Sequence, residues 1–141
     1  MARYGPIIAI EDDRDDKELL IETLQSLEIE NELVCFDNAI DAFDYLKKTL
    51  QQPFLILCDV NLPALNGIEF KRKIDADPEL RKKSIPFIFY STSVNQQAVN
   101  EAYTKMTVQG FFKKGDSFEQ IRKRIKLIMD YWKDCKHPNT N

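Results

Sequence analysis

Short apolar runs alternate along the chain with longer stretches in which apolar side chains return every three or four residues. The runs cover Ile7–Ile10, 32–36, 54–58, 86–90 and 110–113. Each is strand-sized, and the unbroken run 54–58 fits a central strand covered on both faces. After the first run, Leu19, Leu20, Leu24 and Leu27 recur at helical spacing. Asp15 or Asp16 can cap that helix, Asp13 is a further rim or cap candidate, and Glu18 and Glu22 suit its early turns. Asp37 or Asn38 caps the next, which presents Ala39, Phe43, Leu46 and Leu50. A turn-rich stretch at 61–67 precedes a short helix with Phe70 and Ile74, and Asp77-Pro78-Glu79 opens another turn or short helix. Ala98, Ala102 and Met106 mark a weaker helix. From Ser117, a last one shows Phe118, Ile121, Ile125, Ile128 and Trp132 at spacings of three, four, three and four.

Strand and helix thus alternate five times, which implies a parallel sheet with helices on both faces. With right-handed crossovers, the expected class is α/β: a flavodoxin-like (βα)5 three-layer sandwich, strand order 2-1-3-4-5. One domain over 4–132 accounts for the pattern, and 133–141 is expected to be a polar, fraying tail.

Composition narrows the function. The 141 residues hold 20 basic and 23 acidic side chains, a net charge of −3 that disfavours a nucleic-acid binder. No apolar stretch approaches the ~20 residues that span a bilayer, and no signal peptide is visible, so a cytoplasmic protein without membrane partners is expected. The three cysteines, Cys35, Cys58 and Cys135, do not form a disulfide framework. Cys135 and His137 alone do not make a metal site.

In such a fold, ligands bind beyond the carboxyl ends of the strands, at the switch point between strands one and three. The residues gathered there are Glu11-Asp12-Asp13, Asp59, Ser91-Thr92-Ser93 and Lys113-Lys114. Clustered acids repel one another unless a cation joins them. Hard oxygen donors in an incomplete cage suit Mg²⁺, which keeps several waters and accepts phosphate oxygens. The hydroxyl and the ammonium can contact the remaining phosphate oxygens, and a carboxylate beside Mg²⁺ is a competent nucleophile toward phosphorus.

These segments resemble the CheY-like receiver domain of two-component response regulators, in its stand-alone form. The resemblance rests on Ile10-Glu11-Asp12-Asp13, the stretch 59–67 from Asp59 to Gly67, Tyr90-Ser91-Thr92-Ser93 and Phe111-Phe112-Lys113-Lys114-Gly115. It implies that Asp59 is the phosphoacceptor, that Glu11, Asp12, Asp59 and the carbonyl of Asn61 hold Mg²⁺, and that Ser91 and Lys114 contact the phosphoryl group. Phe111 falls at the family's switch aromatic; core packing is the competing role. The implied donor is a separate histidine kinase or phosphotransfer protein. The implied output is altered binding of an unidentified protein through the helix near 98–106, the strand 110–113 and the last helix. The chain departs from the pattern at Gly115, where the family usually has proline; register selects Lys114 over Lys113. A receiver catalyses only its own phosphorylation and dephosphorylation. Two rival readings are an unphosphorylated, degenerate receiver and an aspartyl-phosphate hydrolase of haloacid-dehalogenase type. The second usually needs an acid two residues after the nucleophile, where this chain has Asn61.

Overall fold

A computed structural model describes residues 4–92 and 95–138. The chain runs β1 (Ile7–Ile10), α1 (Arg14–Ser26), β2 (Leu33–Phe36), α2 (Ala39–Lys48), β3 (Leu55–Cys58), α3 (Gly67–Ala76), α4 (Pro78–Lys83), β4 (Phe87–Ser91), α5 (Gln96–Lys105), β5 (Gly110–Lys113) and α6 (Phe118–Asp134). The five strands form one parallel sheet in the order β2-β1-β3-β4-β5, as the alternating pattern implies.

The unbroken apolar runs have a direct cause. Alternate strand residues point to opposite faces of a sheet, and here both faces are covered. Ile8, Ile10, Ile56, Cys58, Phe87 and Phe89 pack with α2, α3, α4 and α5. Their neighbours Ile7, Ala9, Leu55, Leu57, Ile88 and Tyr90 pack with Leu20 and Leu24 of α1 and Ile125, Ile128 and Met129 of α6. Each large apolar side chain so buried contributes roughly 1.5–3 kcal/mol.

Several local expectations are corrected. Of the three aspartates that could cap α1, Asp13 does so rather than Asp15 or Asp16, its carboxylate accepting the Asp16 N–H at 3.0 Å. Asn38, rather than Asp37, caps α2. That helix stops at Lys48 because Thr49 turns extended, so Leu50 lies beyond it and is fully exposed. The Asp77-Pro78 signal is a true short helix, with Asp77 capping and Pro78 in the first turn, where a missing N–H costs nothing. Ser91 is the last residue of β4, not the first beyond it. Among the described residues, Lys133 is not the start of a tail. Helix α6 continues to Asp134, and His137 is buried with its Nε2 against the Phe54 carbonyl and its ring stacked on Phe54. Ser93, grouped with Ser91 and Thr92 in the sequence, and residues 139–141 lie outside the described residues.

Candidate functional site

Register places the site. Ile10 pairs with Cys58, and Ser91 pairs with Lys113. One residue further on, the ladder closes with Glu11 N–H to Phe36 O at 2.9 Å, Asp59 N–H to Ile10 O at 3.0 Å and Lys114 N–H to Ser91 O at 2.9 Å. Glu11, Asp59 and Lys114 are therefore fixed by sheet hydrogen bonds at one edge, while their side chains converge.

Asp59 is buried at the centre of this edge. Its Oδ1 accepts the Ser91 hydroxyl at 2.7 Å and the Asn61 N–H at 3.0 Å. Its Oδ2 accepts from the Lys114 ammonium at 3.3 Å. Burial pushes this carboxyl up, but the Ser91, Asn61 and Lys114 contacts outweigh it and hold Asp59 below the usual carboxylate range. Lys114, itself buried, also touches Glu11 and reaches Asp16 Oδ2 at 2.9 Å. Burial disfavours its charge, yet these carboxylates hold its pKa above that of an ordinary lysine. The ammonium lies 5.9 Å from the centre of the Tyr90 ring. Burial raises Glu11 to about 7 despite Lys114. A carboxyl so perturbed has too little compensation from the ammonium alone.

Glu11, Asp12 and Asp59 each offer a carboxylate oxygen, and these atoms all lie within 4.8 Å of one another. Glu11 and Asp59 are buried and Asp12 is exposed, so the cluster opens on one side. Three hard oxygen donors with an open side fit Mg²⁺ or Mn²⁺. Asn61 stands beside them, tied to Asp59 through its N–H.

The loop that carries Asn61 is shaped by close backbone approach. A Cβ on Gly67 would lie 2.3 Å from the Asp59 carbonyl oxygen, so only glycine fits there. Asn66 and Glu69 form a reciprocal capping box that starts α3 at that glycine. Ala64, in the same loop, takes a left-handed φ of 62°.

The structure therefore brings together Glu11, Asp12, Asp59, Ser91 and Lys114, with Asn61 at the rim. Lys113 is exposed and belongs to β5, its carbonyl accepting from Arg124. Asp13 is the α1 cap and donates its N–H to Glu11 Oε2 at 3.2 Å. Sequence reasoning left Asp16 as a rim or helix-cap residue and missed its contact with Lys114. Once the cap is moved to Asp13, Asp16 falls in the first turn of α1, within reach of the strand ends. Phe111 is half-buried and packs on Phe89 at 5.2 Å between ring centres. Gly115 also has a cause: a Cβ there would lie 2.6 Å from Cβ of Gln120, so α6 packs closer than any larger residue permits.

Fold and site together define a receiver. Residues 7–126 match the response regulator receiver domain, and the chain belongs to that family. It is similar to the response regulator Rcp1 of Synechocystis sp., 28% identical over 131 residues that span 89% of this chain and 87% of Rcp1. Among solved structures, phosphorylated RcpA, a cyanobacterial phytochrome response regulator, matches with a TM-score of 0.84 at 28% identity, covering 96% of this chain and 98% of that one. The Mn²⁺-bound form of Rcp1 matches with a TM-score of 0.81 at 26% identity, covering 95% and 98%. Receiver domains as a class are signalling modules that work with histidine kinases and downstream targets. Among the described residues, no helix is long and apolar enough to cross a membrane.

Proposed function

We propose that this chain is a phosphorylation switch in which Asp59 accepts a phosphoryl group from a phosphohistidine of a separate histidine kinase or phosphotransfer protein. The observation that carries this reading is the Asp59 carboxylate, buried at the β3 end and flanked by Ser91, Lys114 and the acids Glu11 and Asp12. Oδ1 already accepts two hydrogen bonds, which leaves Oδ2 the freer nucleophile. Oδ2 attacks phosphorus, the P–N bond breaks, and its electron pair leaves with the imidazole. Mg²⁺ held by Glu11, Asp12, Asp59 and the Asn61 carbonyl would neutralise phosphoryl oxygens during transfer. Lys114 meets a further oxygen from the β5 side. The likeness to RcpA favours a phytochrome-type kinase as the donor.

The output is a change of partner binding through α5, β5 and α6. The Ser91 hydroxyl already rests on Asp59, so phosphorylation acts by exchanging that bond for one to a phosphoryl oxygen. The displacement is passed to Phe111 through the β4–β5 pair. Tyr103 of α5 and Leu127 and Tyr131 of α6 are exposed apolar side chains on the elements of this face. The test is incubation with acetyl phosphate and Mg²⁺, followed by intact mass. One added phosphate, absent in Asp59→Asn and in Asp12→Ala, supports the reading. No added phosphate points instead to an unphosphorylated binding module, and multiple-turnover hydrolysis of a phosphomonoester to a hydrolase.

A further inference from the structure

Lys114 has one carboxylate partner that belongs to neither the phosphoacceptor nor the metal cluster. Its ammonium is shared among Glu11, Asp16 and Asp59. Two of these, Glu11 and Asp59, are also members of the cation cluster, and Asp16 is not. In the structure both Glu11 oxygens are engaged, Oε1 by Lys114 and Oε2 by the Asp13 N–H. A cation that takes Glu11 meets the ammonium already seated there, and the two like charges oppose one another at this carboxylate. Lys114 is buried and cannot turn to water for a replacement.

We propose that Asp16 is a positioning residue that holds the Lys114 ammonium when Glu11 is given up to the cation. This rests on the reading of Asp59, Glu11 and Asp12 as a phosphoacceptor and metal site. Asp16 suits the task because it sits on α1 rather than on a strand end and is only partly buried. Its contact to Lys114 is 2.9 Å while the ammonium is still 3.3 Å from Asp59, so both contacts are made at once. Lys114 can thus release Glu11 without leaving the reach of a phosphoryl group on Asp59. Without Asp16, the ammonium stays on Glu11 and competes with the cation for it.

The effect runs through Lys114, which separates it from the simple loss of a negative charge near a metal. The experiment is a double-mutant cycle on Mn²⁺ affinity, read by electron paramagnetic resonance, with the parent, Asp16→Asn, Lys114→Gln and the double variant. Asp16→Asn is expected to weaken Mn²⁺ binding by about five-fold or more in the parent and by less than about two-fold in the Lys114→Gln background, within the range of coupling between contacting residues. Asp16→Glu should recover most of the loss. An equal loss in both backgrounds, or none in the parent, overturns the proposal. A second measurement needs no metal: exchange of the Lys114 ammonium protons with water, followed by nitrogen-detected NMR. It should quicken in Asp16→Asn and return in Asp16→Glu, and unchanged exchange also overturns the proposal. If the parent binds no Mn²⁺ but Asp16→Asn quickens exchange, the metal-site reading fails while the hold of Asp16 on Lys114 stands.

Discussion

Lys113 closes β5 and Lys114 follows it, and only Lys114 faces the site. The β4–β5 register pairs Lys113 with Ser91 and leaves Lys113 exposed, while Lys114 turns inward to the carboxylates. Lys114→Ala is therefore expected to impair phosphate uptake from acetyl phosphate far more than Lys113→Ala. Equal impairment would move the phosphate contact off this side chain. The fifth apolar run brought both Lys113 and Lys114 to the shared strand edge, and only the register of the receiver resemblance at Gly115 singled out Lys114. The reason for Gly115 was not legible, because it lies in the approach of α6, a contact between elements that no local pattern records. Gly115→Ala should cost about 1–3 kcal/mol through overpacking against Gln120 and Ile121. Urea midpoints at unchanged slope would measure it, and an unshifted midpoint would mean that α6 yields freely.

Helix α3 is tied to the connection between α5 and β5 by a cluster outside the site. Lys71, buried, bonds Asp75 at 2.7 Å and the Thr107 hydroxyl at 3.1 Å, and Asp75 accepts the Thr107 N–H at 3.1 Å and its hydroxyl at 2.7 Å. The two partners shift in ways that have separate causes. Burial outweighs the ion pair for Lys71 and lowers its pKa, whereas for Asp75 burial is overcome by Lys71 and by both Thr107 bonds, so its carboxyl is also lowered. A depressed carboxylate contributes stability above its unfolded pKa of about 3.9 and loses it as pH falls through the folded value. Thermal midpoints should consequently fall more steeply below about pH 4 in the parent than in Asp75→Asn. Parallel curves would remove Asp75 from the acid response. At neutral pH, Asp75→Ala leaves a buried ammonium uncompensated and is expected to cost about 3 kcal/mol. None of this was legible beforehand. Lys71 and Asp75 stand four residues apart on one helix, a spacing common to exposed pairs, and Thr107 joins them only once α5 has packed. The same holds at helix ends: the acidic run 11–16 offered several caps, and Asp13 serves because it alone brings its oxygen to the Asp16 N–H.

Across the whole molecule, the order of elements followed from periodicity, because a strand buried on both faces leaves an apolar run, and the strand-end residues followed from the crossover and switch-point rules applied to that order. What periodicity could not show was how packing on one face of the sheet links β5 to α3. Beneath the site, the rings of Phe111, Phe89, Phe87 and Phe70 form a continuous series, with centres 5.2, 5.0 and 5.9 Å apart from β5 through β4 to α3. Ser91 stands two residues beyond Phe89 on the same strand, with its hydroxyl on Asp59. A hydrogen bond to a charged acceptor is worth roughly 1.5–3 kcal/mol, enough to shift a two-state ratio by about one to two decades. Phosphorylation would exchange one such bond, from Ser91 to Asp59, for another to a phosphoryl oxygen, so the bias on the packing of Phe111 against Phe89 is the difference between the two. Beryllofluoride, as a mimic of the acyl phosphate, should then perturb amide shifts in α5 and β5 as well as at the site. Ser91→Ala should keep Asp59 phosphorylatable while weakening the remote response, because it removes the link and leaves the nucleophile. Comparing amide NMR shifts over 95–113 with and without beryllofluoride in both proteins decides the matter. Remote shifts of equal size in Ser91→Ala and the parent would show that the signal leaves Asp59 by another route, through the β3–α3 loop or through Lys114.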